Sequence, residues 1–239
     1  MKTKKHILHK LIIAVVSVYV LSLMFPQIWF SNQFKYKNFS VYYHDNELNI
    51  NELKSILDTS SQLIEQSAYY KPEHQQKLFF CSGFTEFSFF ALGSRKAFAV
   101  NYPISQRIFL SKTSIHNNQS FRNGEQQNRR SLSGVIAHET THSMLENHFG
   151  FLAYKLLPTW KNEGYCDYIA QDSSFDEMEG LKAICDNKEP KDNHSFNYLK
   201  FRLLTKYCFE HLKLNTNNFF ASDIDKESLN VEFKQAICK

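Results

Sequence analysis

Three features of the sequence predict an α+β fold built on a short mixed sheet. Strand-like runs lie in the first half of the chain, helical periodicities lie in the second, and this order disfavours a doubly wound parallel sheet. The 239 residues are 43% hydrophobic and 15% aromatic with only 7 Gly and 5 Pro, which excludes collagen-like repeats and disorder and predicts one compact domain behind an N-terminal segment. The formal charge of +4 resides in Lys2, Lys4, Lys5 and Lys10, and residues 11–239 balance 24 basic against 24 acidic groups. A neutral body lacks the phosphate-neutralising surface that nucleic acid demands, so no nucleic-acid partner is expected.

Residues 1–10 read as a basic cytoplasmic tail. From Leu11 to Phe25 there is no charge, and counting on through Trp29 and Phe30 gives a transmembrane signal-anchor over residues 11–30. The lysines before it place the N-terminus in the cytoplasm, and Trp29 with Phe30 suits the far interface. Phe25 to Gln33 lack the small-residue triplet of a cleaved signal peptide, whose removal would secrete the domain instead. In both cases residues 31–239 are expected outside the cytoplasm. Disulfides are permitted there, but Cys81, Cys166, Cys185, Cys208 and Cys238 are an odd number without C-x-x-C spacing, which disfavours a cysteine zinc cluster.

Residues 38–43 (Asn-Phe-Ser-Val-Tyr-Tyr) predict a strand, and apolar residues at near-helical intervals over 47–67 predict an amphipathic helix. Residues 77–81 form a second strand, and Phe84 to Leu92 a short helix on the sheet. Residues 96–100 and 107–112 read as a hairpin, either strand of which could offer an edge to an extended peptide. The polar stretch 113–130 predicts a long exposed loop. A helix follows from about Arg130 to His148, stopped by Gly150; Pro158 opens another over Trp160 to Ala170. Tyr198 to Leu212 mark a third helix.

The first of these helices carries His138-Glu139-Thr-Thr-His142, an H-E-x-x-H pattern. Residues four apart lie one turn along the same helical face, so both imidazoles can reach one ion while Glu139 stands beside them to accept a proton from water. Two neutral imidazoles and a carboxylate suit Zn2+ and leave a fourth position open, as catalytic sites do. Twenty-one residues after His142, at the start of the next helix, Glu163 supplies the carboxylate. Asp167, one turn further, is placed to accept the outer N–H of a metal-binding imidazole. Gly164 has no side chain to obstruct the close approach of the two helices.

With these residues in place the chain resembles the gluzincin branch of the zincin metallopeptidases, the group that includes thermolysin. The resemblance spans most of residues 35–239, and its specific stretches are 134–142 and 157–170. It implies a zincin-like domain over residues 31–239 that hydrolyses a peptide or protein substrate. His138, His142 and Glu163 would be zinc ligands, Glu139 the general base and Asp167 the partner behind a ligand imidazole. The chain has no Gly-x-Met-x-Asn segment, so exopeptidase activity is not expected.

His148 stands where the metzincin pattern places its third histidine, but Leu145 replaces the glycine that would turn the chain back. In a continuing helix His148 points about 240° away from His142. An oxyanion-stabilising group is sought among Tyr168, His194, Tyr198 and His211. The alternative reading is a membrane-tethered binding or assembly protein with a structural or vestigial zinc site, closed by a fourth ligand such as His148 or Cys166.

Overall fold

The strand-like runs of the first half assemble into one mixed sheet. The computed structural model of the protein describes residues 2–44, 48–102, 105–122 and 125–238. Strands β1 (Asn32–Tyr36), β2 (Phe39–Tyr43), β3 (Gln76–Phe80), β4 (Ala99–Tyr102) and β5 (Arg107–Leu110) pair in the order β1-β2-β3-β5-β4. The β2–β3 and β3–β5 pairs are parallel, and β4 returns antiparallel to β5 at the edge.

Both faces of the central strands are covered, so these runs are continuously apolar instead of alternating. Leu78 and Phe80 of β3 face one core, built with Leu53 and Leu57 of helix α2 (Ile50–Ile64) and with Val135 and Ile136 of the H-E-x-x-H helix. Phe79 faces the other way, stacking on Phe109 in a smaller aromatic core with Phe30 and with Phe87 and Phe90 of helix α3 (Phe84–Phe90).

Two expectations are corrected. Residues 113–130 are not a loop: β6 (Thr113–Ser114), β7 (Gln119–Arg122) and β8 (Glu125–Ser131) form a second, antiparallel sheet. Its side chains attach by hydrogen bonds and not by apolar burial. Asn118 exchanges bonds with Ser133, and Arg122 Nε donates to the Lys96 carbonyl. The residues 11–30 are not one helix either. Helix α1 (Lys2–Met24) ends before a 3-10 turn at Pro26–Trp29, and Phe30 is buried in the aromatic core. Its uncharged part, Leu11–Met24, is about 21 Å long against a hydrocarbon core of roughly 30 Å. Among the described residues, no helix is long and apolar enough to cross a membrane.

The second half is helical: α4 (Leu132–Phe149), α5 (Phe151–Leu156), α6 (Thr159–Ala170), α7 (Glu177–Cys185), α8 (Asn193–Glu210), α9 (Thr216–Ala221) and α10 (Lys226–Ile237). Ser131 caps α4, its Oγ accepting from Gly134 N, and Gly150 ends it at φ 77°, a backbone state that glycine adopts without steric cost. Cys185 and Cys238 form a disulfide that ties α7 to the end of α10, while Cys81, Cys166 and Cys208 are buried thiols.

Helix α6 lies between α4 and α8. Gly164 does permit a close approach, but the neighbour is α8: a Cβ here would lie 2.5 Å from the Phe201 carbonyl oxygen and closer still to Thr205 Oγ1. Gly164→Ala is therefore expected to lower stability by about 2–3 kcal/mol in urea unfolding, as overpacking against backbone does. Gly93→Ala, whose Cβ would meet open space, should stay within about 0.5 kcal/mol of the native chain.

Candidate metal centre

Helices α4 and α6 bring the predicted residues together. The Nε2 atoms of His138 and His142 are 3.1 Å apart, and Glu163 Oε2 lies 3.4 Å from the first and 3.6 Å from the second. Both histidines are buried and Glu163 is partly exposed at the floor of a cleft of about 400 Å³.

The outer ring atoms explain why three electron-pair donors converge. His138 Nδ1 donates to Asp167 Oδ1 at 2.7 Å, and His142 Nδ1 has the Asn162 side-chain oxygen at 3.1 Å and the Tyr154 hydroxyl at 3.1 Å. With the protons held on Nδ1, both Nε2 lone pairs point at each other and at a carboxylate, an arrangement that calls for a cation between them. Ligands at about 2.0–2.2 Å from a tetrahedral zinc sit roughly 3.3–3.5 Å from one another, close to the three observed separations. His138, His142 and Glu163 thus form a candidate metal site, and among the described residues the cluster comprises these three.

The electrostatics carry the same demand. Burial works to lower the basicity of His138, but Asp167 and Glu163 outweigh it and raise its pKa to about 10. Burial would raise Glu163, yet the two imidazoles hold its carboxyl well below the usual range. Without a metal, a proton takes the cation's place, and the two compete for the same lone pairs. Glu139, on the cleft side of α4, is pushed upward by burial, with the imidazoles opposing.

Asp167 is 1% exposed and meets a residue that the sequence reading missed: Arg130 Nη2 donates to the same Oδ1 at 2.8 Å. Burial would raise the Asp167 carboxyl, but Arg130 and His138 together hold it low and ionised. Arg130 also donates to the Asp172 carbonyl at 3.1 Å, and Asp172 Oδ2 accepts from both Ser131 N and Ser131 Oγ. Tyr154, Asn162 and Asp172 were equally unforeseen. The one local signal was Arg130 immediately before the cap of α4.

His148 is not part of the cluster; its ring packs 4.2 Å from that of Tyr69 at the far end of α4. Cys166 Sγ lies 3.2 Å from His142 Nδ1, behind the ring and away from the converging lone pairs. Of the four residues considered for oxyanion stabilisation, His194 and Tyr198 line the cleft, whereas Tyr168 packs on Phe209 and His211 stacks on Tyr207. Edge strand β4 lines it too, held over α4 by Asn101, whose Nδ2 donates to the Glu139 carbonyl and to Ser143 Oγ.

No protein-family model matches the chain, and no curated protein matches it. The site must be read from its own residues. The full chain is expected to bind one zinc, counted by elemental analysis after dialysis. Glu163→Ala should lose it or bind it at least tenfold more weakly, Asp167→Asn should weaken binding by about 10–100-fold, and His148→Ala should leave it unchanged.

Proposed function

We propose that the protein is a zinc metallopeptidase of gluzincin type that hydrolyses peptide bonds. The observation that carries this reading is the His138, His142 and Glu163 cluster, with an unshared carboxylate, Glu139, beside it at the floor of an open cleft. A cluster closed by a fourth protein ligand would favour a structural role; here the described cluster has three.

Zinc bound there supplies a positive charge that polarises a scissile carbonyl and acidifies water. The chain's own groups do the rest. Glu139 takes the proton of the attacking water and delivers it to the leaving amine nitrogen, and its burial favours that exchange by bringing carboxyl basicity nearer to neutrality. Asp167 holds His138 by Nδ1, so the imidazole keeps its orientation and its Nε2 lone pair. The Tyr198 phenol, pushed up by burial, stays protonated and is able to donate to the developing oxyanion. As the edge strand of the sheet among the described residues, β4 offers main-chain groups to an extended peptide.

Attachment to a membrane, with the domain outside the cytoplasm, is part of the proposal. The lysines in the first part of α1, the exposed apolar side chains of Leu11, Ile12, Val15, Val16 and Val18, and a disulfide suited to an oxidising compartment support it.

Glu139→Gln is expected to retain one zinc per chain while peptide hydrolysis falls by at least about 10²-fold. Undiminished turnover of a quenched-fluorescence peptide by that variant would refute the assignment. Protease added to intact cells should degrade the domain; full protection would refute the exported topology.

A further inference from the structure

A second cavity, of about 430 Å³, adjoins the cleft and has no part in the proposed hydrolysis. Asn101 and Lys155 line both spaces, so the two lie side by side. Its walls are Leu23 from the end of α1 and the rings of Tyr102, Phe109 and Phe151, and it reaches Glu146 on α4. Glu146 is 6% exposed, and its Oε2 is buried without a hydrogen-bond partner. Buried acceptors in native structures are nearly always paired, so an orphan that lines a cavity points to a donor arriving from outside.

The cations already present do not fill that role. Lys155 is the charge whose field acts on Glu146, but its side chain is exposed, with the ammonium 5.9 Å and 5.6 Å from the ring centroids of Phe151 and Tyr154. Arg107 lines the same cavity; its Nη1 donates to the Leu23 carbonyl and its Nε is buried without a hydrogen-bond partner, so it is not paired with Glu146 either.

Position relative to the reaction centre follows from helix geometry. Glu139 and Glu146 are two turns apart on one face of α4, about 10 Å along its axis. Ser143, between them, is bonded to Asn101 of β4, so the strand runs over this face. An extended peptide advances about 3.3 Å per residue. A chain lying along β4 therefore brings to the cavity the side chain about three residues from the scissile bond.

We propose that this cavity is a specificity subsite for a lysine or arginine side chain of the peptide substrate, with Glu146 as counter-charge and the aromatic walls against its alkyl stem. The substrate class rests on the peptidase reading of the neighbouring cleft. A long basic side chain matches both features, since its stem is apolar and its head is a cationic donor that aromatic faces also attract. An acidic side chain would meet Glu146 directly, and an aliphatic one would leave Oε2 unpaired.

The test uses the full, zinc-loaded chain in the Glu139→Gln background and fluorescein-labelled peptides. One lysine is moved position by position through an alanine and serine host, then replaced by norleucine or glutamate. At one position lysine is expected to bind at least about tenfold more tightly than norleucine, by fluorescence anisotropy. Adding the isosteric Glu146→Gln should collapse that ratio to within about twofold while zinc content stays at one per chain. The proposal is overturned if lysine is nowhere preferred, if no peptide binds, or if the preference survives Glu146→Gln. Cleavage by the native chain separates the two readings. Cleavage without a lysine preference refutes the subsite alone, whereas a lysine preference without cleavage refutes the peptidase and upholds the subsite.

Discussion

One buried oxygen, Asp167 Oδ1, accepts from Arg130 Nη2 at 2.8 Å and from His138 Nδ1 at 2.7 Å, and most of the site's geometry depends on that sharing. Arg130 is the penultimate residue of β8, His138 lies two turns into α4, and Asp167 lies on α6, so a single carboxylate fixes three elements relative to one another. Taking these charges out of water is expensive, and such a group is a poor source of net stability. Its effect is orientation. The anion behind His138 sets the ring's tautomer and leaves Nε2 as the electron-pair donor facing His142 and Glu163.

Helix α6 has to be held firmly for that carboxylate to be useful, and the packing shows how. On one side it meets α4; on the other, Gly164 lets α8 approach until backbone nearly touches backbone. Lys161, 2% exposed, donates its ammonium to the carbonyls of Phe219 and Ser222, which satisfies the end of α9 from within the core. Glu163 and Asp167 thus project from a helix with little freedom to shift, which metal ligation needs because ligand distances tolerate only tenths of an ångström.

Contacts also cross the boundary expected at residue 30. Tyr19 donates to the Phe89 carbonyl, Arg107 to that of Leu23, and Phe30 sits among the rings of Phe79 and Phe90. The end of α1 is packed into the body, and Leu23 forms part of the wall of the cavity that holds Glu146. The N-terminal helix and the neighbourhood of the cleft are therefore mechanically connected.

What the sequence determined by itself is local. The four-residue spacings of His138 with His142 and of Glu163 with Asp167 place each pair on one helical face whatever the rest of the chain does. Gly150 and Pro158 mark the bounds of their helices for equally local reasons. Central strands were legible because burial on both faces leaves an uninterrupted apolar run. The sheet over 113–131 was not, because its polar side chains carry no apolar period and are ordered by bonds to Lys96 and Ser133 elsewhere in the fold. Arg130 gains its role only when folding brings Asp167 and Asp172 to it, the Cys185–Cys238 pairing joins helices with two others between them in the chain, and α1 stops where Phe30 finds an aromatic core. Those features were decided by the tertiary structure, since a buried charge or a turned chain is set by partners that are distant in sequence and adjacent only in space.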